Sequence, residues 1–225
     1  MTGDLETRER LIRAGEALFA ERGFKRVTVR EICQAARANV AAVNYHFGDK
    51  LGLYRTIVES AIDAMRQTTE LARRAGQGQP PEEQLRRFIT VFLQRLAAPG
   101  PDTVRMILHR EMHDPTPALD DIVERGIRPR IEYLSGVIAG MTGGDPADDV
   151  VMRCVGSIQS QALWHLHQPI AARLGAGVDA TADQVDEAAR HITAFSIAGV
   201  YAAARAAADA SAETPSGPRR RRRAG

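Results

Sequence analysis

Apolar residues recur every three or four positions along most of the chain, and no window shows the strict apolar/polar alternation of a half-buried strand. This spacing predicts an all-α protein. Gly126 and Pro129 fall inside one long apolar pattern, where we expect a kink or a break. The predicted helices span about 5–22, 29–36, 40–46, 50–75, 82–98, 102–114, 117–141, 146–167 and 183–208.

Polar residues that commonly begin helices stand just before several of these segments. Thr28-Val-Arg-Glu31 has the spacing of a capping box, in which the threonine and glutamate side chains bond each other's backbone N–H groups. Asn39 is a favourable N-cap for the third helix. Asp145-Pro146 predicts an N-cap followed by proline at the first helical position. Local chemistry therefore predicts where three of the helices begin.

The third predicted helix, 40–46, is short and has a small apolar face. Two short helices that follow a longer one are typical of a helix-turn-helix, whose second helix enters the major groove of DNA. Val43 and Phe47, four positions apart, can anchor the helix inward, while Ala41 and Ala42 let its backbone approach the bases. The polar side chains that can reach base edges or phosphates are Asn44, Tyr45 and His46.

The sequence also predicts a division into three parts. The clearest break is the segment GQGQPP at 76–81. We predict a three-helix helix-turn-helix domain at 1–55, which includes the start of a connecting helix, and a larger helical ligand-binding and dimerisation domain at 56–210. Residues 211–225 lack apolar periodicity, and we expect a disordered basic tail there.

The formal net charge of +2 conceals an uneven distribution of positive and negative residues along the chain. Residues 1–55 hold 10 Lys and Arg against 7 Asp and Glu, residues 56–218 hold 15 against 21, and 219–223 are five arginines. The basic excess therefore lies at the two ends, and the acidic middle is a poor surface for a phosphate backbone. This distribution favours DNA contact through the N-terminal helices.

Other signals narrow the class of protein. Cys33 and Cys154 form no CxxC pair, so we expect buried thiols and neither a zinc site nor a disulfide. The N-terminus is charged and unlike a signal peptide, and no apolar run approaches the ~20 residues of a membrane span. We therefore predict a cytoplasmic protein with no membrane partner, and no motif indicates a cofactor.

The sequence HREMH at 109–113 raises two alternatives. His109 and His113 are spaced as in a zinc-protease motif, but that motif needs glutamate directly after the first histidine, where Arg110 stands. Because there is also no phosphate loop or nucleophile elbow, we predict that the protein is not an enzyme. A metal-responsive regulator that uses His109 and His113 remains an alternative, as does a helical interaction protein with no role on DNA.

A family resemblance strengthens the DNA-binding interpretation. The segment TVREICQAARANVAAVNYHFGDKLGLY, set behind RLIRAGEALFAERGF, resembles the N-terminal DNA-binding domain of TetR-family transcriptional regulators. The likeness is close over about 8–60, and the form NVAAVNYHFGDK is similar to a branch that contains CecR-type regulators. Beyond residue 80 the match is looser. The resemblance implies a homodimer that binds a palindromic operator, acts as a repressor by default and responds to a small organic ligand.

The resemblance also implies which residues face DNA. Thr28 would contact a phosphate, Arg30 a phosphate or a guanine, and Lys50 a phosphate. Val40 could face either the core or the groove. The full predicted set is Thr28, Arg30, Asn39, Val40, Ala41, Asn44, Tyr45, His46 and Lys50.

The sequence departs from the family pattern at two positions. Arg37 stands where glycine is usual, and we expect it to adopt a left-handed backbone at a cost of roughly 1 kcal/mol. Asn44 stands where tyrosine is most common, which leaves open whether Tyr45 takes over a phosphate contact.

The later helices are predicted to supply a dimer contact and a ligand pocket. Helices with small residues and low-relief apolar faces can approach closely, although the same pattern fits an intramolecular core; the predicted dimer residues are Val151, Val155, Ile158, Ala162, Ile192, Phe195, Gly199 and Ala203. Apolar walls with a few polar groups are typical of ligand pockets. The predicted pocket residues are Phe92, Met106, His109, Met112, His113, Gln161, Trp164 and His165.

Overall fold

The computed structural model describes residues 2–98, 103–164, 173 and 181–213. These residues form helices and connecting turns with no strand, which confirms the predicted all-α class. In chain order the elements are α1 (Thr2–Arg22), α2 (Val29–Ala36), α3 (Val40–Phe47), α4 (Lys50–Gly76), α5 (Pro81–Ala97), α6 (Thr103–His113), α7 (Leu119–Asp121), a π-helix (Ile122–Ile127), α8 (Arg128–Thr142), α9 (Asp149–Trp164) and α10 (Ala182–Glu213).

The chain forms two compact units. The first comprises Met1–Arg74 with Ala98–Ile131, and the second comprises Ala75–Ala97 with Glu132–Gly225. The predicted domain boundary after residue 55 falls inside α4. The first unit also takes in a segment from the middle of the chain, which the sequence pattern assigns to the second domain, because apolar side chains of that segment join the N-terminal core.

The first unit has a continuous apolar core. Side chains from α1, α2, α3 and α4 meet there, joined by Ile107 of α6 and Ile122 of the π-helix. Phe19, Phe24 and Tyr54 form an aromatic cluster, with ring centroids 5.0 to 5.8 Å apart. Other fully buried members of this core are Leu11, Val27, Ile32, Val43, Leu53 and Ile62.

The predicted irregularity near Gly126 and Pro129 is confirmed as a π-helix that ends just before α8. Proline has no N–H to donate to the preceding turn, which favours a changed hydrogen-bonding pattern there. Gly126 is buried, and a Cβ at this position would lie 3.1 Å from the sulfur of Met65 on α4. The glycine therefore permits the close approach of the π-helix to α4.

The second unit packs α5, the C-terminal part of α8, α9 and α10 around its own core, with Phe88, Leu134 and Ile158 buried. The predicted start of α9 was wrong. Asp145 Oδ1 accepts a hydrogen bond from Ala147 N (2.8 Å) and Asp148 Oδ2 accepts one from Asp145 N (2.8 Å), which makes a turn. The helix begins after this turn, at Asp149, and not at residue 146.

The last described helix, α10, runs from Ala182 to Glu213, so it extends past the predicted end at residue 208 and into the first residues of the predicted disordered tail. Alanine, the best helix former, dominates this stretch and explains the extension. The five-arginine segment lies outside the described residues. Within the described part, no helix is both long enough and apolar enough to cross a bilayer.

Candidate nucleic-acid interface

The capping box predicted at the start of α2 is confirmed. Thr28 Oγ1 accepts from Glu31 N (3.3 Å), and Glu31 Oε2 accepts from Thr28 N (2.8 Å). The Thr28 hydroxyl also donates to Glu31 Oε2 (2.7 Å), and Arg22 donates to Glu31 Oε1 (2.8 Å). The Thr28 hydrogen bonds, followed by the contact with Arg22, lower the pKa of Glu31 from 4.5 to about 2. The start of α2 is therefore fixed with a charged carboxylate.

The turn between α2 and α3 passes through Arg37 in the left-handed conformation, with φ 51° and ψ 47°. Its N–H donates to Gln34 O (3.2 Å), and Ala38 N donates to Cys33 O (2.9 Å), so the last carbonyls of α2 are satisfied. This confirms the left-handed backbone predicted at Arg37. Among the described residues other than glycine, it has the one positive φ.

The inner face of α3 is small, as the sequence predicts. Val43 is fully buried, and Phe47 lies half-buried with the guanidinium of Arg8 5.5 Å from its ring centroid. Asn39 caps the helix, since its Oδ1 accepts from Ala41 N (3.1 Å). Two inward anchors and one cap thus hold α3 against α1 and α2.

The outer face of α3 is open. Tyr45 is 76% exposed and Val40 is 40% exposed, so Val40 lies on the surface and not in the core. Asn39, Ala41 and Asn44 are exposed beside them. The small side chains leave the helix backbone accessible, and the amide and phenol groups supply hydrogen-bonding partners, which is the composition that a helix needs in a major groove.

Arg30 lies exposed in the first turn of α2 and makes no hydrogen bond or ion pair with the described residues. Arg26, just before α2, is exposed as well. Two nearby cations have ion-pair partners: Arg13 pairs with Glu9, and Lys25 pairs with Asp114.

His46 does not lie on the exposed face of α3. Its side chain is 8% exposed, and Nε2 lies 3.3 Å from Asp4 Oδ1 in the first turn of α1. The predicted recognition role of His46 is thus corrected to a contact between α3 and α1. Successive residues on a helix lie about 100° apart, so His46 and its exposed neighbour Tyr45 take different sides, and periodicity alone did not decide which side faces α1.

Lys50 is also engaged within the protein. Its Nζ donates to Phe24 O (3.0 Å) and Val27 O (3.0 Å) and lies 4.3 Å from the centroid of the Phe24 ring. The ammonium therefore holds the segment that leads into α2. This arrangement corrects the predicted phosphate contact, because two of the three N–H donors already have carbonyl partners within the protein.

No sequence pattern indicated that α6 contacts the N-terminal helices. Arg110 donates to the carbonyls of Ala20 (3.1 Å) and Glu21 at the end of α1. Glu111, 1% exposed, accepts from the hydroxyl of Tyr54 on α4 at 2.6 Å. Burial, together with this hydrogen bond, raises the pKa of Tyr54.

Glu111 has two further partners in the segment after α6. Its carboxylate accepts from Thr116 N (2.9 Å) and Thr116 Oγ1 (2.8 Å). The buried charge is thus hydrogen-bonded on several sides, as a buried carboxylate requires. Together with the pair between Lys25 and Asp114, these bonds fasten the last turn of α6 to α1, α4 and the segment before α2.

The predicted pocket residues are divided between the two units. In the first, Met106 is half-buried, whereas His109, Met112 and His113 are exposed. The rings of His109 and His113 lie 4.5 Å apart, and His113 Nδ1 is 2.8 Å from His109 O. No group of three or more His, Cys, Asp or Glu in the described part of the chain could hold a metal ion.

In the second unit, Phe92 is buried and stacked on Phe88, with ring centroids 5.6 Å apart. Gln161 Nε2 donates to Ser196 Oγ (3.4 Å), and Trp164 is exposed. His165 lies outside the described residues. Each unit therefore keeps several predicted pocket residues, and the pocket itself stays a prediction.

The predicted dimer residues fall into two groups. Five of them are at most 3% exposed within a single chain, so they belong to its core and have no surface for a second copy; these are Val151, Val155, Ile158, Ala162 and Ile192. Phe195 and Gly199 are exposed on α10, and Ala203 is half-buried. Gly156, which the sequence also places beside the dimer residues of this helix, is exposed on α9. Met152, Leu163 and Trp164 are exposed on α9 as well, and the predicted dimer set does not include them.

Two family models match the chain. Residues 11–57 match the model described as bacterial regulatory proteins, tetR family, and residues 81–200 match the C-terminal domain of the HTH-type transcriptional dual regulator CecR. The HTH-type transcriptional dual regulator CecR of Shigella flexneri is 31% identical over 152 residues, which are 64% of this chain and 68% of that protein.

Solved structures show the same fold. The TetR family transcriptional regulator PfmR from Thermus thermophilus has a TM-score of 0.56 and 19% identity, covering 84% of this chain and 97% of its own. AibR in complex with isovaleryl coenzyme A and operator DNA has a TM-score of 0.56 and 18% identity, covering 71% of this chain and 85% of its own.

The fold, the capped α2–α3 pair and these matches define the class: a DNA-binding transcription regulator with an N-terminal helix-turn-helix and a larger helical C-terminal part. The chain belongs to the TetR family, in the branch that resembles CecR. The family and fold predicted from the sequence are thereby confirmed.

Proposed function

We propose that the protein is a ligand-responsive repressor that binds a palindromic operator as a homodimer. The observation that carries this proposal is the outer face of α3, where Val40, Ala41, Asn44 and Tyr45 are exposed while Val43 anchors the helix. A surface helix with this shape meets the steric and hydrogen-bonding demands of a major groove.

The DNA contacts divide between the two short helices. Arg30 and the N-terminal amides of α2 lie on phosphates, which sets the position of the protein on the duplex. Thr28 was predicted to contact a phosphate, but its hydroxyl and its N–H both donate to Glu31, so it acts as the cap of α2. Lys50 and His46 act indirectly, because they hold the two helices in place from inside the protein.

The base edges are read by α3. Ala41 and Val40 contact thymine methyl groups, and Asn44 bonds a base or a sugar-phosphate oxygen. Tyr45, the most exposed of the large side chains on α3, reaches a phosphate beside the groove. Sequence preference therefore comes from the small and amide side chains of this helix.

A second copy supplies the other half of the operator. Two recognition helices on a two-fold axis read half-sites about 34 Å apart. The surface proposed for this contact consists of exposed residues of α9 and α10. They are the large side chains of Met152, Trp164 and Phe195 and the small residues Gly156 and Gly199. Glycines at an exposed helix face let a partner helix approach closely.

The response to a ligand passes through α6. This helix belongs to the same compact unit as the reading helices, and its last turn bonds α1 and α4 through Arg110 and Glu111. A ligand that binds best when α6 has moved therefore also favours an arrangement in which α2 and α3 have moved. Because this arrangement fits DNA less well, the ligand lowers the affinity for the operator. AibR, solved with both isovaleryl coenzyme A and operator DNA, supports an organic effector.

The proposal is tested by the affinity of the purified protein for duplex DNA at several salt concentrations. We expect the logarithm of the affinity to fall linearly with the logarithm of salt concentration, since each phosphate contact releases counterions. Arg30→Ala should weaken binding to specific and non-specific duplexes alike and should reduce the salt slope by about one, as expected for a phosphate contact. Arg13→Ala, which removes an exposed arginine of α1 that is paired with Glu9, is the matched control. An affinity that is independent of salt, or equal losses in the two variants, would contradict the proposal.

A further inference from the structure

The outward face of α2 carries cations that the protein leaves uncompensated. Ile32, Cys33 and Ala36 are buried on its inner side. Arg30 lies in the first turn of α2, Arg37 is the left-handed residue that follows its last turn, and both side chains are exposed. Neither makes a hydrogen bond or ion pair through its side chain with the described residues.

The neighbouring cations are used differently. Arg22 bonds Glu31, and Lys25 bonds Asp114. Each of these side chains stabilises the fold of the first unit. The guanidinium of Arg37 has no such partner in the described structure, although its backbone is held in a conformation that costs a non-glycine residue stability.

Arg37 also stands at the point where the two DNA-reading helices meet. It closes α2, and Asn39, two residues later, caps α3. The first helix of a helix-turn-helix crosses the DNA backbone, so a cation at its C-terminal end continues the line that Arg30 begins at its N-terminal end. A glycine would satisfy the turn without strain but would bring no charge.

We propose that Arg37 is an additional phosphate-binding residue, which extends the backbone contact of α2 from its first turn to the turn before α3. This inference rests on the proposed DNA-binding function. Its contact is electrostatic and carries no base preference, so it contributes equally on specific and non-specific duplexes.

Arg37→Gly separates stability from DNA binding. Glycine accepts the left-handed backbone, so the variant should unfold at the same or a higher denaturant concentration than the wild type. Its DNA affinity should fall on every duplex. Losing one phosphate contact should also reduce the change in affinity between about 50 and 200 mM salt by about threefold. Arg37→Lys should restore most of the affinity, and Arg13→Ala should leave the salt dependence close to that of the wild type.

The outcomes distinguish this inference from the proposed function. Wild-type protein that binds DNA, together with an Arg37→Gly variant of unchanged affinity and salt dependence, overturns the role of Arg37 alone. A loss confined to the specific duplex overturns the phosphate assignment. Wild-type protein that binds no duplex at any salt concentration overturns both proposals.

Discussion

Lys50 holds the DNA-reading helices in place through contacts within the protein. Its ammonium bonds the carbonyls of Phe24 and Val27 and lies over the Phe24 ring, so it fixes the segment between α1 and α2. The position of Thr28 depends on that segment, because Thr28 follows Val27 directly. A cation can therefore support DNA binding without lying on a phosphate.

Replacing this lysine should mainly affect stability. We expect Lys50→Met to lower the free energy of unfolding by about 1–3 kcal/mol, since two hydrogen bonds from a charged group to backbone carbonyls are lost. Urea unfolding followed by circular dichroism measures the change, with Arg13→Ala as the exposed control. Unchanged stability together with a weaker salt dependence of DNA binding would restore the phosphate contact that the family resemblance implies.

At the residue scale, the sequence predicted backbone chemistry better than side-chain partners. The left-handed Arg37 followed from the family resemblance, in which glycine is usual at this position, and the capping role of Asn39 followed from its place before an apolar pattern. The partners of Lys50 lie 23 and 26 positions away, and Asp4 lies 42 positions before His46. No local pattern contains such pairs.

The start of α2 depends on the charge of one carboxylate. Glu31 has its pKa lowered to about 2, first by the hydroxyl and backbone of Thr28 and then by Arg22. A carboxylate with a depressed pKa stabilises the folded state above its unfolded value of 4.5, and this contribution disappears as the pH falls toward 2.

Glu31→Gln tests this pH dependence. The wild type should be more stable than the variant at about pH 6, and the difference should shrink by about pH 3, as the unfolded carboxyl becomes protonated. Denaturant unfolding at a series of pH values gives the comparison. Glu9→Gln, which removes one exposed pair with Arg13 and no helix cap, is the control. A wild-type advantage that stays constant across this range would contradict the capping role.

At the element scale, periodicity predicted which helices exist, and competing local bonds decided their ends. The start of α2 matched because the capping box is formed, and its end matched because Arg37 takes the left-handed conformation that closes the helix. The start of α9 did not, because Asp145 and Asp148 close a turn in place of an N-cap. Pro129, which the sequence shows, favours the π-helix, whereas the lack of room for a Cβ at Gly126 beside Met65 is visible only in the structure.

At the scale of the whole molecule, the proposed dimer depends on the exposed face of α9 and α10. Phe195 is 62% exposed on α10, and Gly199, one turn further along the helix, is exposed as well. An exposed aromatic side chain in a low-relief patch is the kind of residue that dominates an interface.

Phe195→Glu should separate the protomers. We expect sedimentation to show a dimer for the wild type and a monomer for the variant, because a carboxylate cannot be buried in an apolar contact without a partner. Leu71→Glu changes a similarly exposed apolar side chain, 59% exposed, in the other unit and should leave the dimer intact. A variant that sediments as the wild type does would exclude Phe195 from the contact.

Long-range packing was the part of the molecule that the sequence predicted least. Residues 98–131 join the N-terminal unit because Ile107, Ala118 and Ile122 enter its core, and their apolar spacing resembles that of any other helix. Likewise, α9 and α10 carry apolar residues on two faces. The pattern alone did not tell the face buried in the chain from the face that remains exposed.

The central claim is that α2 and α3 read DNA as a two-fold pair, and selection of bound duplexes from a random pool tests it most directly. We expect an enriched palindrome whose half-sites lie about one helical turn apart. The Arg30→Ala variant should enrich the same palindrome, because a phosphate contact carries no base preference. A pool that stays random, or an enriched site without two-fold symmetry, would contradict the claim.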